Sequence, residues 1–150
     1  MLWGDAEVMR FVGSGKPYGN LDEARRWLEW AIAYQEKHGF CRWAVAEKGG
    51  GKVIGSCGYL YRNGGGEIDL GYYFARPYWG RGYATEIAGA CLEYGFVDLN
   101  IKEIVATVDV RHPASQRVLE KIGFKCKETR RNDDGTVDRL CVAVKPEGSK

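Results

Sequence analysis

The stretch of this chain best suited to chemistry is Tyr72-Tyr73-Phe74-Ala75-Arg76-Pro77-Tyr78-Trp79-Gly80-Arg81-Gly82-Tyr83-Ala84-Thr85-Glu86. Its first part is aromatic and apolar, as in a buried strand. Pro77 and two glycines break that strand. From Tyr83 onward the apolar spacing turns helical, through Ala84, Ile87, Ala88, Cys91 and Leu92. A glycine loop feeding a helix start leaves backbone N–H groups without helical partners. The helix dipole adds partial positive charge there. The chemistry this predicts is anion binding, above all of phosphates. Glycine at 80 and 82 lets the backbone approach the anion with no Cβ in the way.

Two phosphate loops are excluded by spacing. No Lys-Ser or Lys-Thr follows Gly82, so the loop is not that of a nucleoside triphosphate enzyme, and Thr85 breaks the pattern G-x-G-x-x-G. What remains resembles the acetyl-coenzyme A loop of the GCN5-related N-acetyltransferases, Gln/Arg-x-x-Gly-x-Gly/Ala. Trp79-Gly80-Arg81-Gly82-Tyr83-Ala84 occupies that place, with Trp79 in the position of Gln/Arg. The wording from Pro77 to Glu86 is similar to that of the branch acting on ribosomal-protein alanine N-termini (RimJ/RimL-like).

The elements that must hold this loop follow from the rest of the chain. Asn20 can cap a helix, with Glu23 three residues on, and the helix then runs to about Lys37. Leu21, Ala24, Trp27, Leu28, Ala31 and Ile32 are its expected inward stripe, and Gly39 its stop. Strands are expected over Cys41–Glu47, Lys52–Tyr61 and Glu67–Ala75, joined by tight glycine turns. Gly55 and Gly58 read as bulge positions. The loop helix runs from Gly82 to about Phe96. A strand over Ile101–Asp109 follows, then a helix opened by Pro113 and stopped by Gly123. A hairpin of Phe124–Arg131 and Thr136–Val144 closes the chain. This order implies an α+β or mixed α/β domain. Residues 1–150 read as one domain, with an irregular segment over 1–18 and a frayed tail over 146–150.

Bulk properties narrow the class of function. The net charge is +2, from 22 basic and 20 acidic residues. That balance argues against nucleic acid or an anionic membrane as partner. No apolar run reaches the ~18 residues of a membrane span, and the start Met1-Leu2-Trp3-Gly4-Asp5 has no signal-peptide pattern. The five cysteines, Cys41, Cys57, Cys91, Cys126 and Cys141, are scattered and odd in number. They read as small buried hydrophobes with free thiols, which fits a reducing cytoplasm. His38 and His112 are not paired with cysteines at ligand spacing, so no metal is expected.

The resemblance extends beyond the loop. The element order is that of the acetyltransferase fold, a central, mostly antiparallel twisted sheet flanked by helices. Ser115 and Glu120-Lys121-Ile122-Gly123-Phe124 match a second family landmark. His112 stands in place of the family's usual Asn and could donate a similar hydrogen bond to the cofactor. Leu119 occupies the position where many relatives carry a Tyr acid. Family members usually begin with a further strand and most of a helix, and Met1 falls too late for them. On that resemblance, Cys41–Glu47 is expected to be a sheet edge if the chain is complete, covered by residues 1–18 or by a second subunit in a homodimer.

The resemblance implies direct acetyl transfer from acetyl-coenzyme A to a primary amine, on a protein N-terminus or a small molecule. The alternative is a non-catalytic acyl-coenzyme A sensor. Asp69 falls where the branch has an acid facing the amine, which makes it the candidate base. Glu67 shares its strand face and is the second candidate; solvated strand carboxylates are the plain alternative. Ser115 is the implied proton donor to the thiolate, against an ordinary first-turn hydroxyl. The resemblance also puts Tyr73, Phe74 and Ala75 along the thioester arm, with a backbone N–H near Phe74 on its carbonyl. The loop from Trp79 through Gly80, Arg81, Gly82, Tyr83 and Ala84 to Thr85 would hold the pyrophosphate. Arg81 pairs with phosphate or is a solvated cation, and Arg117 reaches the 3′-phosphate end or solvent. Trp27, Trp30, Tyr34 and Tyr72 line the amine groove or belong to the core.

Overall fold

The computed structural model describes residues 2–12 and 15–148. Met1, Gly13 and Ser14 of the expected irregular segment, and Ser149 and Lys150 of the expected tail, lie outside the described residues. The N-terminal segment folds as a 3-10 turn, Leu2–Gly4, and one helical turn, α1 (Ala6–Met9). Asp5 caps that turn by accepting from the Glu7 N–H at 3.0 Å.

The elements that follow are α2 (Leu21–His38), β1 (Arg42–Ala46), β2 (Val53–Arg62), β3 (Glu67–Phe74), α3 (Tyr83–Val97), β4 (Glu103–Asp109), α4 (Pro113–Lys121), β5 (Lys125–Arg131) and β6 (Val137–Val144). Every strand and long helix read from the sequence is present, with ends moved by one or two residues. The six strands hydrogen-bond in the order β1-β2-β3-β4-β6-β5, flanked by helices. β1–β2, β4–β6 and β5–β6 are antiparallel, and β3–β4 is parallel. The parallel pair requires the long crossover that α3 supplies.

By contacts the chain forms two compact units, Met1–Leu60 with Gly71–Tyr83, and Tyr61–Leu70 with Ala84–Lys150. The first holds α1, α2, β1, most of β2 and the end of β3. Its buried residues include Met9, Ala24, Ala31, Phe40, Ile54, Cys57, Tyr59, Tyr73 and Phe74. The second holds the start of β3, nearly all of α3, β4, α4, β5 and β6, around Ala88, Ile104, Val105, Leu119, Phe124, Leu140 and Val142.

α2 starts as its sequence dictates. Asn20 Oδ1 accepts from the Glu23 N–H at 3.0 Å, and the Glu23 carboxylate reaches back to the Gly19 N–H at 2.8 Å. Gly39, at φ +80°, ends the helix. The expected inward stripe is corrected, however. Ala24 and Ala31 are buried, whereas Leu21, Leu28 and Ile32 are 68%, 45% and 62% exposed. The packed face is instead rotated toward Trp27, Tyr34 and Gln35; Gln35 Oε1 takes the Trp43 indole N–H at 2.9 Å.

The cysteines also differ from expectation. Cys41, Cys57 and Cys91 stand outside any disulfide. Cys126 and Cys141 lie directly opposite on β5 and β6 and form a disulfide. Cross-strand register, which spacing in sequence does not reveal, puts them together. The inference from free thiols to a reducing compartment thus loses two of its five members.

Candidate active site

In the first unit β3 ends at Phe74, and a 3-10 turn, Arg76–Tyr78, carries Pro77 at its start. The Ala75 N–H still belongs to the sheet, donating to the Ile54 carbonyl at 2.8 Å. The Tyr78 and Trp79 N–H groups donate to the Ala75 and Arg76 carbonyls at 3.0 and 3.1 Å. That turn brings Trp79 back over the strand end, where its indole N–H donates to the Phe74 carbonyl at 2.7 Å.

Gly80 and Gly82 then take φ of +71° and +82°. Side chains rarely adopt that backbone, which is why glycine stands at both places. A Cβ at either would meet nothing within 4 Å. Among the described residues no backbone carbonyl accepts from the amides of Gly80, Arg81 or Gly82. α3 begins at Tyr83, so its first-turn amides add further donors. An open cradle of unspent N–H groups at a helix start fits a diphosphate. The Tyr83 ring stacks on Phe74 at 6.3 Å, the planes inclined by 24°, and lies edge-on to Tyr78 at 5.9 Å. The Arg81 guanidinium sits 5.8 Å from the Tyr78 ring centre, and Lys52 Nζ 5.9 Å from it. Lys52 gave no signal in the sequence, because it comes from the turn before β2.

Tyr73 is buried and accepts the indole N–H of Trp3. Burial raises its phenol above the ordinary tyrosine value, and the hydrogen bond with Trp3 offsets part of that rise. Trp3 in turn packs on Trp27 at 5.4 Å and Tyr18 at 6.0 Å. Trp27 continues to Trp30 at 6.3 Å, and Trp30 to Tyr34 at 4.9 Å. Three of the four aromatics read as groove or core are therefore one row of mutually packed rings. Trp27 is tied to Tyr73 through Trp3, and Trp30 is 46% exposed. Trp3 was missed because an indole near the N-terminus has no local pattern to mark it. Tyr72, half-buried, is the fourth.

Arg42 was missed too. Its guanidinium lies against the α-carbon of Gly71, where a Cβ would land on it. The glycines gave the signal: Gly58 and Gly71 are strand positions of close approach. A Cβ on Gly58 would strike the Cys41 carbonyl and the Arg42 backbone. The bulge itself is beside Gly55, where the β1–β2 register jumps between Val45 and Ala46.

In the second unit the start of β3 carries both carboxylates. Glu67 receives the Arg130 guanidinium on both oxygens, each at 3.3 Å. Asp69 sits opposite Val105 of β4, with its Oδ1 shut off from solvent. The two candidates thus differ, one held in an ion pair and one half-buried with an oxygen closed to solvent. Asp109, the last residue of β4, folds the chain toward α4. Its carboxylate accepts from the Arg111 N–H at 2.8 Å and from the guanidinium at 2.9 and 2.6 Å. The Arg111 bonds hold it below the ordinary aspartate range. His112 precedes α4 without capping it by its side chain. Ser115 lies half-buried in the first turn, Arg117 is exposed, and Leu119 is in the core. Ala84 and Thr85, half-buried, continue α3. Among the described residues no three His, Cys, Asp or Glu side chains gather as a ligand set, and no helix is long and apolar enough to cross a membrane.

The model of the acetyltransferase (GNAT) domain matches residues 1–125. YkkB of Bacillus subtilis (strain 168), an uncharacterised protein, is 34% identical over 131 residues, 86% of this chain and 74% of its own. The uncharacterised N-acetyltransferase p20 of Bacillus licheniformis is 27% identical over 139 residues, 92% of this chain and 78% of its own. Among solved structures, a GNAT-family acetyltransferase from Bacillus anthracis superposes with a TM-score of 0.82 at 21% identity, over 96% of this chain and 85% of that one. Spermidine N-acetyltransferase from Vibrio cholerae, in complex with CoA and spermine, gives 0.79 at 19%, over 96% and 86%. Ribosomal-protein-S5-alanine acetyltransferase from Vibrio fischeri gives 0.69 at 21%, over 84% and 72%. A family match over most of the length, joined to this element order and this glycine loop, decides the assignment: the chain belongs to the GNAT acetyltransferase family.

Proposed function

We propose that this enzyme transfers the acetyl group of acetyl-coenzyme A to a primary amine, within a single domain spanning 1–150. One observation carries the reading. Among the described residues the amides at Gly80, Arg81 and Gly82 have no backbone carbonyl partner, and a Cβ at Gly80 or Gly82 would meet nothing within 4 Å. A diphosphate is the group whose charge and size suit them, and coenzyme A carries one next to its thioester arm.

The acetyl thioester supplies an electrophilic carbonyl carbon; the amine nitrogen bonds to it as the carbon–sulfur bond breaks. The protein must take a proton from the amine and return one to the departing thiolate. Asp69 is assigned the first task and Ser115 the second. Glu67, engaged by Arg130, is assigned an ion-pair role rather than that of base. An α-amine, with pKa near ~7.8, is far more often neutral at pH 7 than a lysine-type amine near ~10.4, so it asks less of the base. His112 and Arg117 are assigned to the coenzyme, and Trp27, Trp30, Tyr34 and Tyr72 to the wall of the amine groove.

The acceptor is read as a protein N-terminus or a small amine, following the RimJ/RimL-like wording of the loop and the substrates named for the Vibrio neighbours. The enzyme is read as cytoplasmic, with a homodimer covering the edge strand β1. The test is release of free thiol from acetyl-coenzyme A with a panel of α-amino peptides, polyamines and amino acids. Turnover with one class is the expected result. Tight coenzyme binding with no turnover on any amine would make the chain a sensor, and no binding at all would remove the proposal.

A further inference from the structure

We propose that Trp79 is the positioning residue of the glycine loop, holding it in binding shape through the main chain of Phe74 rather than through contact with the ligand. The inference deepens the reading of the loop as a diphosphate site and rests on it. Gly80 and Gly82 have no neighbours within 4 Å of where side chains would begin, so packing does not fix the loop between them. Its shape must be set at its two ends, and both ends close on the same residue. At one, the Trp79 indole N–H is bonded to the Phe74 carbonyl at 2.7 Å. At the other, the Tyr83 ring stacks on the Phe74 ring at 6.3 Å. Phe74 is the last residue of β3 and is buried, and the next amide is still in the ladder. The loop is thereby pinned to the rigid end of a strand at both of its feet. A donor that can reach back five residues to a carbonyl needs a long, stiff side chain with an N–H near its tip. Indole provides this with only two side-chain torsions to fix. Loop amides that are already held in place spare the entropy of ordering them when the anion arrives.

Trp79→Phe removes the donor and keeps a ring at that place; Trp79→Ala removes both. Half-exposed Trp79 leaves room for either without unfolding, which the Tm will report. The measurements are coenzyme A affinity by calorimetry, backbone amide order parameters at 80–82 from nitrogen-15 relaxation of the ligand-free protein, and KM for acetyl-coenzyme A and for the amine. Trp79→Phe is expected to lower the order parameters at 80–82 and to weaken coenzyme A about fivefold, the size of one lost hydrogen bond, with the amine KM unmoved. Wild-type order parameters and affinity in Trp79→Phe would overturn the proposal. So would loss of affinity in Trp79→Ala alone, which means that the ring itself touches the ligand. If the wild type binds no coenzyme A, the functional reading fails, and the order-parameter comparison alone decides whether Trp79 holds the loop.

Discussion

The guanidinium of Arg42 lies where a side chain at Gly71 would begin, while the Arg42 backbone pairs with Gly58. The two glycines are not equivalent. At Gly58 a methyl would strike backbone, the Cys41 carbonyl and the Arg42 α-carbon, at φ +153°. At Gly71 the nearest atoms it would strike belong to the Arg42 guanidinium, a side chain, which can give way more readily than backbone. Gly58→Ala should therefore cost about 1–3 kcal/mol, as overpacking does, and lower Tm by several degrees. Gly71→Ala should cost less. Combined with Arg42→Ala, its remaining cost should largely vanish, a non-additivity that thermal unfolding of the double mutant measures. Additive losses would show that the guanidinium is not what fills the space above Gly71.

Gly82→Val separates backbone strain from ligand exclusion. Gly82 and Gly39 share nearly the same φ, +82° and +80°, and neither has a neighbour within 4 Å of a Cβ. Valine at either should pay a similar strain of about 1–2 kcal/mol. Only at Gly82 would it also stand where phosphate is proposed to lie. Coenzyme A affinity should fall at least tenfold in Gly82→Val and stay near wild type in Gly39→Val, at matched losses of Tm. Equal affinities in the two variants would count against the loop as the site.

The elements were legible because their signals are local. Asn20 and Glu23 announce a helix start, Gly39 its end, and Gly80 and Gly82 a break between strand and helix. What sequence left hidden depends on register and on which way a helix turns. Leu21, Leu28 and Ile32 look like core by periodicity, yet α2 packs through Ala24, Ala31 and the half-buried Trp27 and Tyr34 instead. Cys126 and Cys141 look like two separate buried thiols until β5 and β6 set them opposite each other. Trp3, Arg42 and Lys52 reach Tyr73, Gly71 and Tyr78 across distant parts of the chain, and no motif spans such gaps. The carboxylates show the same limit. Period two puts Glu67 and Asp69 on one face, but only the fold, which brings Arg130 over from β5, tells that the first is engaged.

That difference makes the next expectation specific to one acid. Asp69→Asn should lower kcat by ~10² or more if Asp69 accepts the amine proton, with KM for acetyl-coenzyme A little changed. The residual rate should climb with pH as the free amine deprotonates by itself. Glu67→Gln should lower Tm slightly, through the lost pair with Arg130, and leave kcat within about a factor of two, since a surface-accessible ion pair contributes little. A pH–rate profile of Asp69→Asn that overlays the wild type would discard the assignment, and a larger loss in Glu67→Gln would transfer it.

Lys52 and Arg81 approach the Tyr78 ring at 5.9 and 5.8 Å, and the Tyr78 hydroxyl donates to the Glu47 carboxylate at 3.3 Å. The ring is thus a platform that keeps two cations beside the loop. Lys52→Gln and Arg81→Gln should each raise KM for acetyl-coenzyme A a few-fold at about 0.02 M salt. Most of that effect should disappear near 0.5 M, where charges more than about 4 Å apart are screened. Tyr78→Leu, which removes the platform and keeps both charges, should fall between wild type and the single charge variants. An effect of equal size at both salt concentrations would mean that the side chains act by packing and not by charge.

Asp109 sets the path from β4 into α4, the helix whose first turn carries Ser115. Its carboxylate takes three bonds from Arg111, and its carbonyl takes the His112 N–H at 2.8 Å. The Arg111 bonds depress its folded pKa below the ordinary value of 3.8. A depressed carboxylate stabilises the fold fully above its unfolded pKa, near ~3.9, and loses that contribution as pH falls through the lower folded value. Asp109→Asn keeps an acceptor for the turn and removes the charge. Its Tm should therefore lie below wild type at pH 7, with the gap closing as pH drops below about 4 and gone once both forms are neutral. A series of melting curves from neutral to acid, run on both proteins, reads this directly. A gap that persists or widens in acid would mean that the variant fails through its turn geometry, and that the ion pair with Arg111 contributes nothing to holding α4 in place.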